Sequence, residues 1–242
     1  MFDLDGVITD TAVIHFRAWK ETFDRLLADL HGEDFKPFEH DRDYVPYVDG
    51  RPRYDGVAGF LSSRDIDLPY GKVDDEPGKK TVCGIGNAKN ERFRQIVDSG
   101  DIPVFESTVA LVDQLLDAGV KCGVASSSRN CRYVLKQTGL IDRFGTVVDG
   151  TDSKELGLEG KPAPDIFVTA CERLSVRPDR SLMVEDAYSG VEAGRNGSFA
   201  LVIGISRNGD LDGLRDRGAH MVADDMSGIG LDQIMDWFRG NR

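Results

Sequence analysis

Two aspartates one residue apart open the chain, in Phe2-Asp3-Leu4-Asp5-Gly6-Val7-Ile8-Thr9-Asp10-Thr11. In extended backbone, residues two apart share a face, so Asp3 and Asp5 leave a short apolar start on the same side. Gly6 then permits a sharp turn that keeps both carboxylates near one point. A pair placed this way can hold a divalent cation, or can divide the work of nucleophile and proton carrier. It can equally be a solvated Asp-Gly turn, so the other chemistry-bearing positions must decide.

Three further polar clusters follow expected strands. Val120–Ala125 runs into Ser126, Ser127 and Ser128, Thr146–Val148 ends on Asp149, and Ser181–Val184 ends on Glu185 and Asp186. Open parallel sheets bind ligands beyond the carboxyl ends of their strands, so these groups can converge on one cation and one anion. The acids suit the metal, while a serine hydroxyl and the N–H groups of the following helix start suit phosphate oxygens. Ser128 also reads as a helix N-cap, and Glu185-Asp186 as a solvated loop. Lys161 opens Lys161-Pro162-Ala163-Pro164-Asp165, where two prolines stiffen the approach to a helix. An ammonium fixed among converging carboxylates would reduce their repulsion and help bind a transferring phosphoryl group.

The elements that must position these groups fall into two patterns. Val13 to Leu30 reads as an amphipathic helix, with Phe16, Trp19, Phe23 and Leu27 at three- and four-residue steps. From His31 to Pro103 the chain is polar and turn-rich, with short helical pieces at Val57 to Ser63 and Asn87 to Asp98. Beyond Pro103, helix and strand alternate. Helices are expected at Ser107 to Ala118, capped by Ser107, at Arg129 to Thr138, at Pro162 to Leu174, begun by proline, and at Ser189 to Arg195. Ala200 to Ile205 is a strand, and a helix bearing Leu231, Ile234, Met235 and Phe238 closes the chain. This alternation gives an α/β fold, a Rossmann-like parallel sheet covered on both faces, over residues 1–12 and 104–242. Residues 13–103 break the rhythm and form an inserted helical cap domain, expected to move about crossings near 9–13 and 100–105. Only Met1 and Phe2 precede Asp3, where a strand usually brings about four to six residues. That strand is therefore very short, or its natural beginning lies upstream.

A chain of 242 residues can bury a full core plus an insertion. Its net charge of −12 argues against a nucleic-acid or anionic-membrane partner. A small anionic substrate stays compatible, because a few cations in a cleft outweigh a screened distant charge. Cys83, Cys122, Cys131 and Cys171 form no C-x-x-C pair and read as buried free thiols in a reducing compartment. With no apolar run of membrane-spanning length, a soluble cytoplasmic chain is expected.

The ordered series Asp-x-Asp, strand-end serine, Lys-Pro and Glu-Asp resembles the haloacid dehalogenase superfamily of phosphoryl-transfer enzymes, from Phe2 to Asp186 and beyond. Within it, the opening through Ala12, followed by His15-Phe16-Arg17-Ala18-Trp19-Lys20, is similar to the beta-phosphoglucomutases. In the cap the similarity rests on Gly50 with Arg53 and on Lys89-Asn90. The resemblance implies that Asp3 is a nucleophile forming an aspartyl-phosphate and Asp5 the general acid/base. It implies Mg²⁺ held by the Asp3 carboxylate, the Asp5 backbone carbonyl and Asp186, with Glu185 beside it. Ser126 and Lys161 would bind the transferring phosphoryl group. Ser127, Ser128, Arg129 and Asn130 would meet the other phosphate of a sugar bisphosphate, with Arg53 reaching across from the cap. His15 beside Lys89 would bias which oxygen is attacked, whereas Cys122 and Cys131 would only pack. Residues 31–51, along with Tyr54, and residues 151–160 depart from the mutase pattern, which leaves the sugar open. The implied activity is interconversion of beta-glucose 1-phosphate and glucose 6-phosphate, the partner being a small phosphorylated sugar. The alternatives are a sugar-phosphate phosphatase using water as acceptor and a catalytically silent binding module.

Overall fold

The computed structural model describes residues 1–49, 51–100 and 102–240. The chain divides into two compact units, one of Met1–Thr11 with Ile102–Arg242 and the other of Ala12–Asp101.

The first unit is built on parallel strands β1 (Gly123–Ala125), β2 (Thr146–Val148), β3 (Leu182–Glu185), β4 (Leu201–Ile205) and β5 (Met221–Ala223). One ladder runs β1-β2 and another β3-β4-β5. The opening residues lie between them, Phe2 bridging in parallel to both Val124 and Val184. Phe2 N–H donates to the Gly123 carbonyl at 2.9 Å and Asp3 N–H to the Val184 carbonyl at 3.1 Å. The expected first strand is thus present as a single bridge on each side. Every residue of β1, β3 and β4 is buried, as parallel strands covered on both faces must be. Met183, Phe167, Cys171, Val191 and Val202 form part of one apolar cluster against them.

Helices α5 (Glu106–Asp117), α6 (Cys131–Gln137), α7 (Gly150–Leu156), α8 (Asp165–Arg173), α9 (Tyr188–Asn196), α10 (Leu211–Asp216) and α11 (Leu231–Gly240) complete this unit. Several differ from the sequence expectation for local reasons. The cap of α5 is Phe105, not Ser107, whose hydroxyl donates instead to Asp225 Oδ2 at 2.7 Å. Helix α8 starts at Asp165 rather than Pro162, because Ala163 precedes a proline and is held out of helical backbone. Strand β1 starts three residues late because Val120 still closes α5, its N–H donating to the Leu115 carbonyl at 2.9 Å. Helices α7 and α10 and strand β5 were not anticipated.

The second unit is helical. It holds α1 (Thr11–His31, its first residue in the other unit), α2 (Val45–Tyr47), α3 (Arg53–Ser63) and α4 (Val82–Asp98). The apolar stripe of α1 supplies Trp19, Phe23 and Leu27 to a core that includes Phe38, Val57, Phe60 and Ile85. Phe23 is wholly buried, its ring 4.1 Å from that of Phe60 and 4.9 Å from that of Phe38, a burial worth roughly 1.5–3 kcal/mol. All four cysteines are buried and free. No helix among the described residues is long and apolar enough to cross a membrane.

Candidate active site

The bridge at Phe2 sets the alternation of the opening. Phe2 and Leu4 point into the core, and Asp3, 5% exposed, lies on the other face beside the end of β3. The chain then turns. Val7, Ile8 and Thr9 N–H groups all converge on the Leu4 carbonyl, and Gly6 N–H donates to the Thr9 carbonyl at 2.8 Å. Gly6 has φ of +78°, and a Cβ there would stand 1.9 Å from Asp186 Oδ2. Only glycine allows both this turn and the approach of that carboxylate. Asp5 accepts a hydrogen bond from the hydroxyl of Thr11, the first residue of α1. Thr11 carried no signal in the sequence, since it reads as one more helix-start threonine.

Asp3, Glu185 and Asp186 each offer an oxygen within 4.8 Å of the others, the one such acidic cluster among the described residues. Lys161 enters it from the loop before α8. Its Nζ donates to Asp3 Oδ1 at 2.8 Å and also to Glu185 Oε1, while its side chain is 13% exposed. Glu185 is committed on both oxygens, because Oε2 accepts the N–H groups of Asp186 at 2.6 Å and Ala187 at 2.8 Å. Gly190 of α9 makes room for it, since a Cβ there would stand 1.7 Å from Glu185 Oε1. Glu185 therefore orients Lys161 and the Asp186 peptide.

Three carboxylates face one ammonium, and the electrostatics follow. Burial raises the Asp3 carboxyl to about 7, against the pull of Lys161, with the charges of Glu185 and Asp5 pushing the same way as burial. Burial and the charges of Glu185 and Asp3 hold Asp186 well above the ordinary carboxylate range. Burial works against the Lys161 ammonium too, but Asp3 and Glu185 outweigh it and keep its pKa above that of a free lysine. An all-oxygen donor set carrying uncompensated negative charge suits a hard divalent cation such as Mg²⁺.

The serine loop leaves β1 beside this cluster. Ser126 is buried, and its hydroxyl accepts the Ser128 N–H at 3.1 Å. Ser128 does not cap the helix. Its hydroxyl accepts the Asn130 N–H at 3.2 Å, and α6 begins at Cys131 with Asn130 at the cap position. Ser127 and Arg129 are exposed and Asn130 is buried. The loop rests on the start of α7, where Gly150 N–H donates to the Ser128 carbonyl at 3.2 Å and a Cβ would stand 2.3 Å from the Ser127 carbonyl oxygen. Asp149, at the end of β2, is used structurally. It forms a capping box with Asp152 and pairs with Arg132 at 3.1 Å.

The helical unit groups the remaining expected residues. His15 Nδ1 lies 2.6 Å from Lys89 Nζ, and its ring stacks on Phe93 at 4.3 Å. Lys89 is buried, 4.9 Å from the Trp19 ring centre. Arg53 donates to Asn90 Oδ1 at 2.7 Å. Gly50 lies outside the described residues. Burial, with the charges of Lys89 and Arg53, lowers the His15 pKa well below its usual value of 6.5. The unfolded chain therefore binds the proton more readily, and folding loses stability as pH falls below 6.5. The loss attributable to His15 approaches about 1.4 kcal/mol per pH unit. Denaturant midpoints between pH 7.5 and 5.5 should show it as a wild-type advantage over His15→Asn that shrinks on acidification. A pH-independent difference would contradict this.

Residues 1–197 match the family model of the haloacid dehalogenase-like hydrolases. The chain belongs to this family. As a haloacid dehalogenase-like protein it is 46% identical over 234 residues to a beta-phosphoglucomutase of Mycobacterium bovis, covering 94% of this chain and 89% of that protein. It is 32% identical over 206 residues to a beta-phosphoglucomutase of Bacillus subtilis, covering 84% and 82%. The haloacid dehalogenase-like fold, an α/β core with an inserted helical cap, is shared with a beta-phosphoglucomutase structure from Clostridium difficile. The TM-score is 0.75 at 22% identity, over 99% of this chain and 96% of that one.

Proposed function

We propose that the chain is a Mg²⁺-dependent beta-phosphoglucomutase acting through an aspartyl-phosphate on Asp3, with residues 1–12 and 104–242 as the catalytic core and 13–103 as the cap. Support for phosphoryl transfer comes from Asp3, Asp186 and Glu185 meeting around Lys161. What favours a mutase over a phosphatase is the 46% identity to a beta-phosphoglucomutase across 94% of the chain.

In this reading the Asp3 carboxylate attacks the phosphorus of the sugar phosphate, and Asp5 gives a proton to the leaving oxygen. Asp5 then takes the proton of the acceptor hydroxyl as that oxygen attacks the aspartyl-phosphate. Lys161 and Ser126 hold the transferring phosphoryl oxygens, and Lys161 opposes the upward push of burial on the Asp3 carboxyl. Mg²⁺ would be held by the Asp3 carboxylate, the Asp5 carbonyl and Asp186, with Glu185 beside it, and would neutralise charge on the phosphoryl group. Ser127, Ser128, Arg129 and Asn130 take the second phosphate, and Arg53, Lys89 and His15 are the sugar-recognising groups of the cap. A soluble cytoplasmic enzyme fits this substrate.

The test is turnover of beta-glucose 1-phosphate with Mg²⁺ and a catalytic amount of the sugar bisphosphate. Formation of glucose 6-phosphate is expected. Release of inorganic phosphate alone would replace the mutase with the phosphatase that uses the same aspartyl-phosphate.

A further inference from the structure

Arg207 follows β4, 201 residues from the turn that it touches. Its Nε donates to the Gly6 carbonyl at 2.6 Å, and its Nη1 donates to the Asp224 carbonyl at 3.3 Å. The guanidinium carbon stands 3.5 Å from the centre of the Phe105 ring, and the side chain is 25% exposed. Burial lowers its pKa while the charges of Asp186, Asp225 and Asp10 raise it. A cation is thus seated among acids, over an aromatic ring.

The two segments joined by this side chain are those on which Asp5 depends. Gly6 opens the turn immediately after Asp5. Phe105 N–H donates to the Ile8 carbonyl at 2.9 Å, Thr9 bridges antiparallel to Val104, and Asp10 N–H donates to the Pro103 carbonyl at 2.9 Å. The Asp5 turn is therefore held both by the Phe105 segment and by the guanidinium that lies over the Phe105 ring. A lysine could supply the charge, but it could not stack flat on Phe105 while donating from the Nε position.

We propose that Arg207 is a positioning residue for the phosphoryl-transfer reaction, fixing the turn that carries Asp5 by binding the Gly6 carbonyl while stacked on Phe105. This rests on the functional reading above only for its kinetic arm. A displacement of about 1 Å at a reacting group costs on the order of 100-fold in rate. Arg207→Met should therefore lower kcat by roughly 10- to 100-fold with KM little changed. Arg207→Lys should recover only part of that loss, and Phe105→Leu should lower kcat in the same direction by less.

The independent arm is amide hydrogen exchange of the full chain without substrate. In Arg207→Met, the Val7, Ile8 and Thr9 amides should exchange faster while β3 and β4 keep wild-type protection. Unchanged exchange at residues 7–9, a general rise that includes β3 and β4, or kcat within twofold of wild type would each overturn the proposal. Full recovery by Arg207→Lys would also overturn it, because charge alone would then suffice. If the wild-type chain turns over no sugar phosphate, the functional reading fails and the exchange result still decides the role of Arg207.

Discussion

Asp3→Asn is expected to abolish turnover, by on the order of 10⁴-fold or more, in a protein that stays folded. An amide cannot form the aspartyl-phosphate, and the acids beside it have other tasks, Asp186 as a proposed Mg²⁺ ligand among them. Glu185 is committed to Lys161 and to the peptides of Asp186 and Ala187, while Asp5 is engaged by Thr11. The fold should survive because Asn is nearly isosteric and removes a carboxylate that burial already disfavours. Single-turnover kinetics and a thermal melt check the two halves. Activity above a tenth of wild type would rule out Asp3 as the nucleophile.

Lys161→Met is expected to lower kcat by roughly 10²- to 10³-fold, and to shift the titration of Asp3 in the metal-free protein as well. Lys161 opposes the effect of burial on Asp3, whose carboxyl is raised to about 7 even with that help. Without the ammonium, the Asp3 pKa of the metal-free protein rises further. The midpoint of the Asp3 titration, followed by carboxyl-carbon magnetic resonance without metal, should therefore move to higher pH in the variant. An unchanged midpoint would mean that Lys161 binds the phosphoryl group without tuning Asp3. The Lys161 ammonium lies 5.1 Å from the centre of the Phe167 ring, a face that a methionine thioether can also pack against, and a thermal melt checks that the variant folds.

The acidic cluster was legible in the sequence because its members sit at strand ends. Asp3 and the Glu185-Asp186 pair announce themselves because an apolar run stops on a polar group, and the parallel sheet brings such stops together. Lys161 was legible through the prolines that follow it. Asp149 stops a strand in the same way and yet is taken up by the α7 cap and Arg132, which pattern alone could not separate from a catalytic acid. Thr11 and Arg207 were not legible. Each meets the Asp5 turn through side-chain polar contacts, Arg207 from 201 residues away, and neither leaves a local pattern.

The fold was readable to a similar degree. Longer amphipathic segments such as α1 were recognised because their apolar spacing is sustained, whereas α10 spans six residues, and β5, no shorter than the expected β2, is only half-buried throughout. Such elements are specified by what they pack against. Helix starts slipped where proline or a hydrogen bond from another segment set the backbone, as at Asp165 and Glu106.

The most direct test of the account follows the phosphoryl group itself. Beta-glucose 1-phosphate, Mg²⁺ and catalytic bisphosphate would be incubated with the chain in ¹⁸O-labelled water, and the products read by ³¹P magnetic resonance. The account predicts glucose 6-phosphate whose phosphoryl oxygens carry no ¹⁸O, because Asp3 passes the group to a sugar hydroxyl. Inorganic phosphate bearing ¹⁸O as the main product would contradict it, since water would then be the acceptor.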